Sequence, residues 1–211
     1  MTVLYDYWRS SASYRVRIGM NLLGLPFQAV SVDLVQGDNR APEHLLRNPQ
    51  GLVPALEIDG QMLTQSLAIL EYLHETRGGS LLPADALGRA RVRALAYAIA
   101  MDIHPVCNSS VARFAVTESK GAITTEAWMA QFITRGLAAF EALLDHPATG
   151  RFCHGDSVSL ADLCLVPQMY NARRWAIDVT SWRRCLAVEA NLLAIPAIAA
   201  AHPDHFKAEA K

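Results

Sequence analysis

The sequence has little of the features that mark several specialised classes of protein. Its 211 residues carry 19 Lys and Arg against 20 Asp and Glu, so the formal net charge is −1. This balance creates no strong field toward nucleic acid or an anionic membrane, so acidic ligands need locally placed cations. No apolar run approaches the roughly eighteen residues of a membrane-spanning helix. We therefore expect neither a nucleic-acid partner nor a membrane partner.

Cysteine is scarce and scattered. The four cysteines, at positions 107, 153, 164 and 185, form no CxxC pair and match no zinc-site spacing. The first residues, MTVLYDYWRSS, lack the basic segment and the apolar run of a signal peptide. The sequence therefore predicts a cytoplasmic protein with reduced thiols, and it implies no metal.

What is present indicates a folded and largely helical protein. Hydrophobic residues make up 52% of the chain and charged residues 18%, which is far from the composition of a disordered chain. A chain of this length can bury a sizeable core within one or two domains.

The first eighty residues alternate between strand and helix patterns. The predicted elements are a strand at 3–7, a helix at 13–23, a strand at 27–34, a short helix near 43–46, a hairpin of 54–58 and 61–64 around Asp59-Gly60, and a helix at 66–76. This order is that of a thioredoxin-like α/β domain, which we place at 1–80.

Beyond residue 85 the sequence shows no convincing strand. Apolar residues recur at helical spacing over 87–116, 128–144, 160–175 and, in an alanine-rich stretch, about 187–201. Pro105 should kink or break the first of these helices, and Pro196 interrupts the last. We assign 86–211 to an all-α domain.

A cluster at 8–17 marks the first strand-to-helix junction. Its serines, Ser10, Ser11 and Ser13, are ordinary N-cap residues ahead of an amphipathic run. A helix start also offers free N–H groups and a positive dipole end, where a serine hydroxyl can stabilise a bound thiolate. The cluster alone leaves both roles open. A thioredoxin-like oxidoreductase would need cysteine here, and this chain has none.

Two further motifs precede predicted elements. Pro54 opens a strand, where proline is tolerated, but a cis Val53–Pro54 bond would turn the Val53 backbone toward a peptide-like ligand. Ser66 is predicted to cap the helix that follows it. The same helix start could hold an amino-acid carboxylate, with Gln65 adding a contact. Each motif alone also has an ordinary structural interpretation.

The predicted helical domain carries three motifs, which differ in how strongly they indicate a functional role. Ser159 and Asp162 form a capping box, which predicts a stabilising element rather than a catalytic one. Arg174, near the end of the same helix, either complements its dipole or binds a substrate carboxylate. His104 beside Pro105 is more often a structural histidine than a catalytic base.

The order and spacing of these motifs resemble the cytosolic glutathione transferases over the full chain. Three segments closely resemble the zeta class of that superfamily: 9–18, 102–105 with Asn108, and 162–168 with Arg174. Zeta enzymes are glutathione-dependent cis–trans isomerases of maleylacetoacetate or maleylpyruvate in aromatic catabolism. The resemblance therefore implies glutathione as cofactor, a maleyl-type diacid as substrate, and a homodimer.

The resemblance also implies residue roles. Ser10, assisted by Ser11, would stabilise the glutathione thiolate, and Arg9 and Arg174 would hold substrate carboxylates. The other residues implied in binding glutathione and substrate are Ala12, Ser13, Val53, Pro54, Gln65, Ser66, His104, Asn108, Ser109 and Ser110.

The sequence departs from the class pattern in two places. Ala12 stands where cysteine is usual, and we expect activity to survive with an altered rate. Ser109 and Ser110 stand where maleylpyruvate isomerases carry an arginine pair, which favours maleylacetoacetate or another acid as substrate.

Two alternative functions stay open. One is a general transferase that conjugates glutathione to small electrophiles or dehalogenates them, which an apolar substrate space would favour. The other is a non-catalytic binding module of the same fold. Such modules often lose the cap serine or the Gln-Ser pair, and this chain keeps both.

Overall fold

The computed structural model describes residues 1–207. The chain divides into two compact units, one of residues 1–81 with the segment from Leu193 onward, and the other of Leu82–Leu192. The predicted domains, 1–80 and 86–211, place that last segment with the helical part instead. Residues 208–211 lie outside the described range, and the domain assignment stays a prediction.

Four short strands form the sheet of the first unit. They are β1 (Val3–Asp6), β2 (Gln28–Ser31), β3 (Ala55–Ile58) and β4 (Gln61–Thr64). The strand order is β2-β1-β3-β4, with β2 parallel to β1 and the other neighbours antiparallel. Asp59 and Gly60 join β3 to β4 with φ angles of 53° and 72°. Positive φ at both turn residues suits the predicted tight hairpin.

Three helices accompany this sheet. They are α1 (Ser11–Leu22), α2 (Pro42–Arg47) and α3 (Ser66–Thr76). The apolar faces of sheet and helices meet in a buried cluster of Leu4, Val16, Met20, Leu56, Ile58, Ile69 and Leu73. Full burial of one such side chain stabilises the fold by roughly 2 kcal/mol, so this cluster fixes α1 and α3 against the sheet.

Helix α1 ends where the sequence predicts a stop. The Leu25 N–H donates to the Met20 carbonyl at 3.0 Å, and the Gly24 N–H donates to the Asn21 carbonyl at 3.1 Å. Gly24 has a φ of 62°, the left-handed conformation that this Schellman-type ending requires.

Helices make up the second unit. They are α4 (Ala86–Tyr97), a π-helix (Ala98–Ile103), α5 (Ser109–Glu118), α6 (Thr125–Leu143), α7 (Leu160–Arg174) and α8 (Arg183–Leu193). Within residues 1–207, extended pairing in this unit is limited to an isolated bridge between Thr149 and Gly155. None of the helices in that range is long and apolar enough to cross a bilayer.

The predicted alanine-rich helix at about 187–201 is interrupted before Pro196, as expected, but its predicted start is wrong. Helix α8 already begins at Arg183 and ends at Leu193, and a separate turn, α9, spans Pro196–Ala199. A short 3₁₀ turn at Pro203–Phe206 follows. Proline at the start of α9 cannot continue a preceding helix, so the chain breaks and returns to the first unit.

The first long helix departs from α geometry before Pro105. In the π-helix the His104 N–H donates to the Ile99 carbonyl, five residues back, at 2.9 Å. Gly136 of α6 faces this segment, since a Cβ there would lie 2.3 Å from Ile103 Cγ1. π-Helical turns recur at functional positions, and this one ends at His104.

Helix α7 begins with a cap in which Ser159 is bonded to a buried carboxylate. The carboxylate of Asp162 accepts the Ser159 N–H at 2.8 Å, the Ser159 hydroxyl at 2.6 Å and the Cys153 N–H at 2.9 Å. Asp162 is completely buried. Burial raises its pKa, although these hydrogen bonds oppose the rise. The predicted capping box is confirmed as a structural element.

Candidate active site

The start of α1 is an incompletely bonded cap. The Ser10 Oγ accepts the Ser13 N–H at 3.2 Å, which confirms the predicted capping role. A hydroxyl that accepts a hydrogen bond keeps its own proton for donation. Among the described residues the N–H groups of Ser11 and Ala12 find no acceptor. This junction therefore offers three donors to a bound anion.

Two further polar groups lie beside these donors. The Ser13 hydroxyl is fully buried and has no hydrogen-bond partner among residues 1–207. The Arg9 Nη2 donates to the Tyr7 hydroxyl at 2.9 Å, and its guanidinium carbon lies 4.7 Å from the Trp8 ring centroid. The Arg9 Nε is buried and also lacks a partner in that range. A held guanidinium with a spare donor suits a carboxylate.

Val53 presents its backbone at the end of a loop. The Val53–Pro54 peptide is cis, as hypothesised. Val53 is buried, yet within the described residues neither its N–H nor its carbonyl has a hydrogen-bond partner. Buried backbone groups are nearly always paired, so an extended peptide ligand has a natural place here.

Side chains fix the loop before Val53. The His44 Nε2 and the Asn48 Nδ2 each lie 2.9 Å from the Leu52 carbonyl, and the Asn39 Nδ2 donates to the Gly51 carbonyl at 2.7 Å. The backbone of this loop is therefore held by three side chains. These three side chains were not among the predicted site residues, because nothing in the sequence shows which carbonyl each one contacts.

The start of α3 differs from the prediction by one residue. The expectation that Ser66 is the N-cap is wrong: Gln65 caps the helix with a φ of 68°, and Ser66 is the first helical residue. The Ser66 Oγ accepts from Arg15 Nη1 at 3.2 Å, and the Gln65 Nε2 donates to Gln50 Oε1 at 2.8 Å. Left-handed backbone at a non-glycine residue is uncommon and clusters at ligand sites.

Arg15 also contacts the site without having been predicted as a site residue. It is 2% exposed, so its guanidinium brings a buried positive charge to the start of α3. Together with the helix dipole, this charge favours a carboxylate at Ser66. The available signal was the presence of two arginines, Arg15 and Arg17, on one short helix.

The other predicted site residues belong to the second unit. Asn108 caps α5, and its Oδ1 accepts the Ser110 N–H at 3.0 Å and the Ser110 hydroxyl at 2.9 Å. Ser109 and Ser110 are exposed, and His104 is partly exposed at the end of the π-helix. Their roles stay predictions.

The two arginines at the end of α7 differ in their surroundings. Arg173 forms a two-pronged ion pair with the buried Glu189, with N–O distances of 2.6 and 2.5 Å. Arg174 is exposed, and its guanidinium carbon lies 5.0 Å from the Trp175 ring centroid. Arg173 is therefore committed to the fold, and the carboxylate role stays assigned to Arg174 as a prediction.

A thioredoxin-like sheet with an open helix start, together with an all-helical unit, defines a glutathione transferase fold. Residues 2–75 match the family model for the glutathione S-transferase N-terminal domain. The chain is 61% identical over 208 residues to maleylacetoacetate isomerase of Rhizobium meliloti (strain 1021), covering 98% of each chain.

Two solved structures are also similar to this chain. One is the holo structure of a maleylpyruvate isomerase, a bacterial zeta-class glutathione S-transferase. It has a TM-score of 0.91 and 41% identity, and the match covers 95% of this chain and 96% of that one. The other is maleylacetoacetate isomerase from Methylobacterium extorquens AM1 with bound malonate and glutathione, with a TM-score of 0.91, 42% identity and the same coverage. The chain belongs to the zeta class of glutathione transferases, the family of these isomerases, and the predicted fold and family are confirmed.

Proposed function

We propose that this protein is a glutathione-dependent cis–trans isomerase of a maleyl-type diacid. The observation that carries the proposal is the open helix start at Ser10. There a hydroxyl proton and the N–H groups of Ser11 and Ala12 have no acceptor among the described residues. Membership of a family of isomerases supports it, as does the solved relative that holds malonate and glutathione together.

The residues present fit glutathione. The γ-glutamyl carboxylate would bind at the start of α3, where Gln65 and Ser66 offer donors and Arg15 adds positive charge. The cysteinyl backbone would pair with Val53, whose own backbone groups are otherwise unpaired within residues 1–207. The further residues that we propose to contribute are Ala12, Ser13, Pro54, His104, Asn108, Ser109 and Ser110.

Bound glutathione supplies a thiolate that adds reversibly to the cis double bond, which lets that bond rotate before the thiolate leaves. Ser10 donates a hydrogen bond to the thiolate, and the positive end of α1 favours its charge, so the pKa of the thiol is lowered. Arg9 and Arg174 hold the substrate carboxylates and orient the reacting bond. Arg9, one residue from Ser10, also stabilises negative charge that develops on the substrate.

We propose maleylacetoacetate rather than maleylpyruvate as the preferred acid. Ser109 and Ser110 stand where the class resemblance would place the arginine pair of maleylpyruvate isomerases. The similarity to the Rhizobium meliloti maleylacetoacetate isomerase supports this choice.

The setting of the enzyme is also a proposal. The family favours a cytoplasmic homodimer that acts in the catabolism of aromatic compounds. It also favours a division into a glutathione-binding domain at 1–80 and a substrate-binding domain at 86–211.

The test is isomerisation of maleylacetone by the purified protein, followed by absorbance with and without glutathione. We expect turnover only with glutathione, and thiol titration should show that no glutathione is consumed. Stoichiometric loss of thiol, with better turnover of a neutral halogenated electrophile, would instead identify a conjugating transferase. Failure to bind immobilised glutathione would identify a non-catalytic module.

A further inference from the structure

A buried arginine on α1 connects three parts of the first unit. The Arg17 Nη1 lies 2.6 Å from the Asp6 carboxylate, and the two side chains are 0% and 4% exposed. Its Nη2 donates to the Trp8 carbonyl at 3.0 Å, and its Nε donates to the Ala201 carbonyl at 3.3 Å. A guanidinium with all three nitrogens engaged has a fixed position. Arg17 therefore ties the carboxyl-terminal segment to the loop after β1.

The carboxyl-terminal segment, 201–207, also reaches this region through its own side chains. The Phe206 ring centroid lies 4.4 Å from the Arg17 guanidinium carbon, a distance typical of a cation–π contact. The same ring is stacked on Phe27 with an interplanar angle of 2°. The Lys207 ammonium lies 5.4 Å from the Trp8 ring centroid. Phe206 thus forms one wall of the site in which Arg17 is held.

The loop that Arg17 holds is the one that carries Ser10. Trp8 precedes Ser10 by two residues, and the Ser10 N–H donates to the Tyr7 carbonyl at 2.8 Å. Because this turn is closed by a hydrogen bond, a shift of the Trp8 carbonyl moves the Ser10 hydroxyl as well. Hydrogen bonds weaken steeply once distance and angle depart from their optimum, so the Ser10 hydroxyl depends on its support.

We propose that Arg17 and Phe206 are positioning residues for the thiolate site. Phe206 holds the Arg17 guanidinium, Arg17 holds the Trp8 carbonyl, and the Trp8 loop holds the Ser10 hydroxyl. Phe206 thereby supports the thiolate site from the carboxyl-terminal segment, to which we assign no contact with glutathione or substrate. This inference rests on the proposed function, since it concerns the hydroxyl that activates glutathione.

The test uses Phe206→Leu, which keeps apolar volume but removes the ring face, and Phe206→Tyr, which keeps the ring. The main measurement is the pKa of the bound glutathione thiol, from thiolate absorbance as the pH is varied. We expect Phe206→Leu to raise this pKa and to lower kcat by about three- to tenfold, with little change in KM for glutathione. Phe206→Tyr should retain both values.

His205→Ala is the matched control in the same segment. His205 is exposed, and its side chain contacts the Ala200 carbonyl and the His202 ring. It should behave as the wild type. A bound-thiol pKa in Phe206→Leu equal to that of the wild type overturns the inference, even if the melting temperature falls. A wild-type protein without glutathione-dependent turnover overturns the proposed function instead.

Discussion

Within residues 1–207, α1 and α7 each have a serine as the N-cap residue, and the two serine hydroxyls are bonded differently. At α1 the Ser10 hydroxyl accepts one backbone N–H and keeps its proton for another partner. At α7 Ser159 is bonded through both its N–H and its hydroxyl to the buried Asp162. At α7 the hydroxyl proton of the cap serine is already bonded to a carboxylate, whereas at α1 the hydroxyl proton has no acceptor among the described residues and can serve an anion. The two helix starts thus differ in whether the proton of the serine hydroxyl is already bonded within the protein.

Removal of the Ser10 hydroxyl should have the largest effect on activity. We expect Ser10→Ala to lower kcat by about 100-fold, as loss of one preorganised donor to a reacting anion does. The cost in unfolding free energy should be only about 1 kcal/mol, the usual effect of losing an N-cap side chain. Steady-state kinetics and urea unfolding separate the two effects. Ser10→Thr, which keeps a hydroxyl, is the control, and unchanged kcat in Ser10→Ala would remove the proposed role.

A substitution at the cap of α7 should have the opposite result, with a loss of stability and no change in kcat. Asp162→Asn replaces one of two accepting oxygens by an amide that can only donate, so buried N–H and O–H groups around it lose their partner. We expect the free energy of unfolding to fall by about 2 kcal/mol. At a temperature where the variant stays folded, kcat should match the wild type. A large decrease in kcat without a loss of stability would contradict the structural role assigned to Asp162.

The two arginines at the end of α7 allow a second comparison, between a proposed substrate contact at Arg174 and a structural ion pair at Arg173. Arg174→Ala should raise KM for a diacid by about tenfold, through loss of a charge-assisted contact, with a smaller change in kcat. Arg173→Ala should instead reduce stability, because it leaves Glu189 buried without its ion pair. Kinetics with a diacid and with a neutral electrophile provide the measurement. Equal losses toward both substrates would argue against carboxylate binding by Arg174.

The smallest expected effect is the pH dependence that Asp162, at the cap of α7, gives to the free energy of unfolding. Burial raises the pKa of Asp162 above its ordinary 3.8, so the folded state takes up a proton at higher pH than the unfolded state. The contribution of Asp162 to stability therefore increases as the pH falls through the folded pKa, and levels off below 3.8. The measurement is the difference in unfolding free energy between wild type and Asp162→Asn across acidic pH. That difference should grow on acidification; a shrinking difference contradicts the assigned shift.

Elements set by local sequence were predictable. The bounds of β4 and α3 agree with the predicted 61–64 and 66–76, because a two-residue turn and a leucine period specify them. The capping box at Ser159 was likewise predictable, since its two partners lie three residues apart.

Features set by distant partners were not predictable. The π-helix (Ala98–Ile103) follows an apolar period that is indistinguishable from an ordinary helix, and its close neighbour is Gly136. Likewise, Arg15 meets a residue 51 positions away and Arg17 one 184 positions away. The sequence shows two arginines on this helix, but not that both are buried or which groups they contact.

The site was predictable to the level of its motifs. The cap serine and the cis Val53–Pro54 bond could be inferred from short patterns. The cap at Gln65 could not, because its left-handed backbone contradicts the preference of glutamine and is imposed by its surroundings. Local propensity is overridden where the geometry serves a ligand.

The contact between Gly136 and Ile103 also limits how this lineage can change. A methyl group at position 136 would lie 2.3 and 2.5 Å from two atoms of the isoleucine side chain, too close for either residue to adapt alone. A larger residue at 136 is therefore acceptable only together with a shorter one at 103. A library that randomises position 136 alone should therefore return mostly glycine, whereas a shorter residue at 103 should widen the choice at 136.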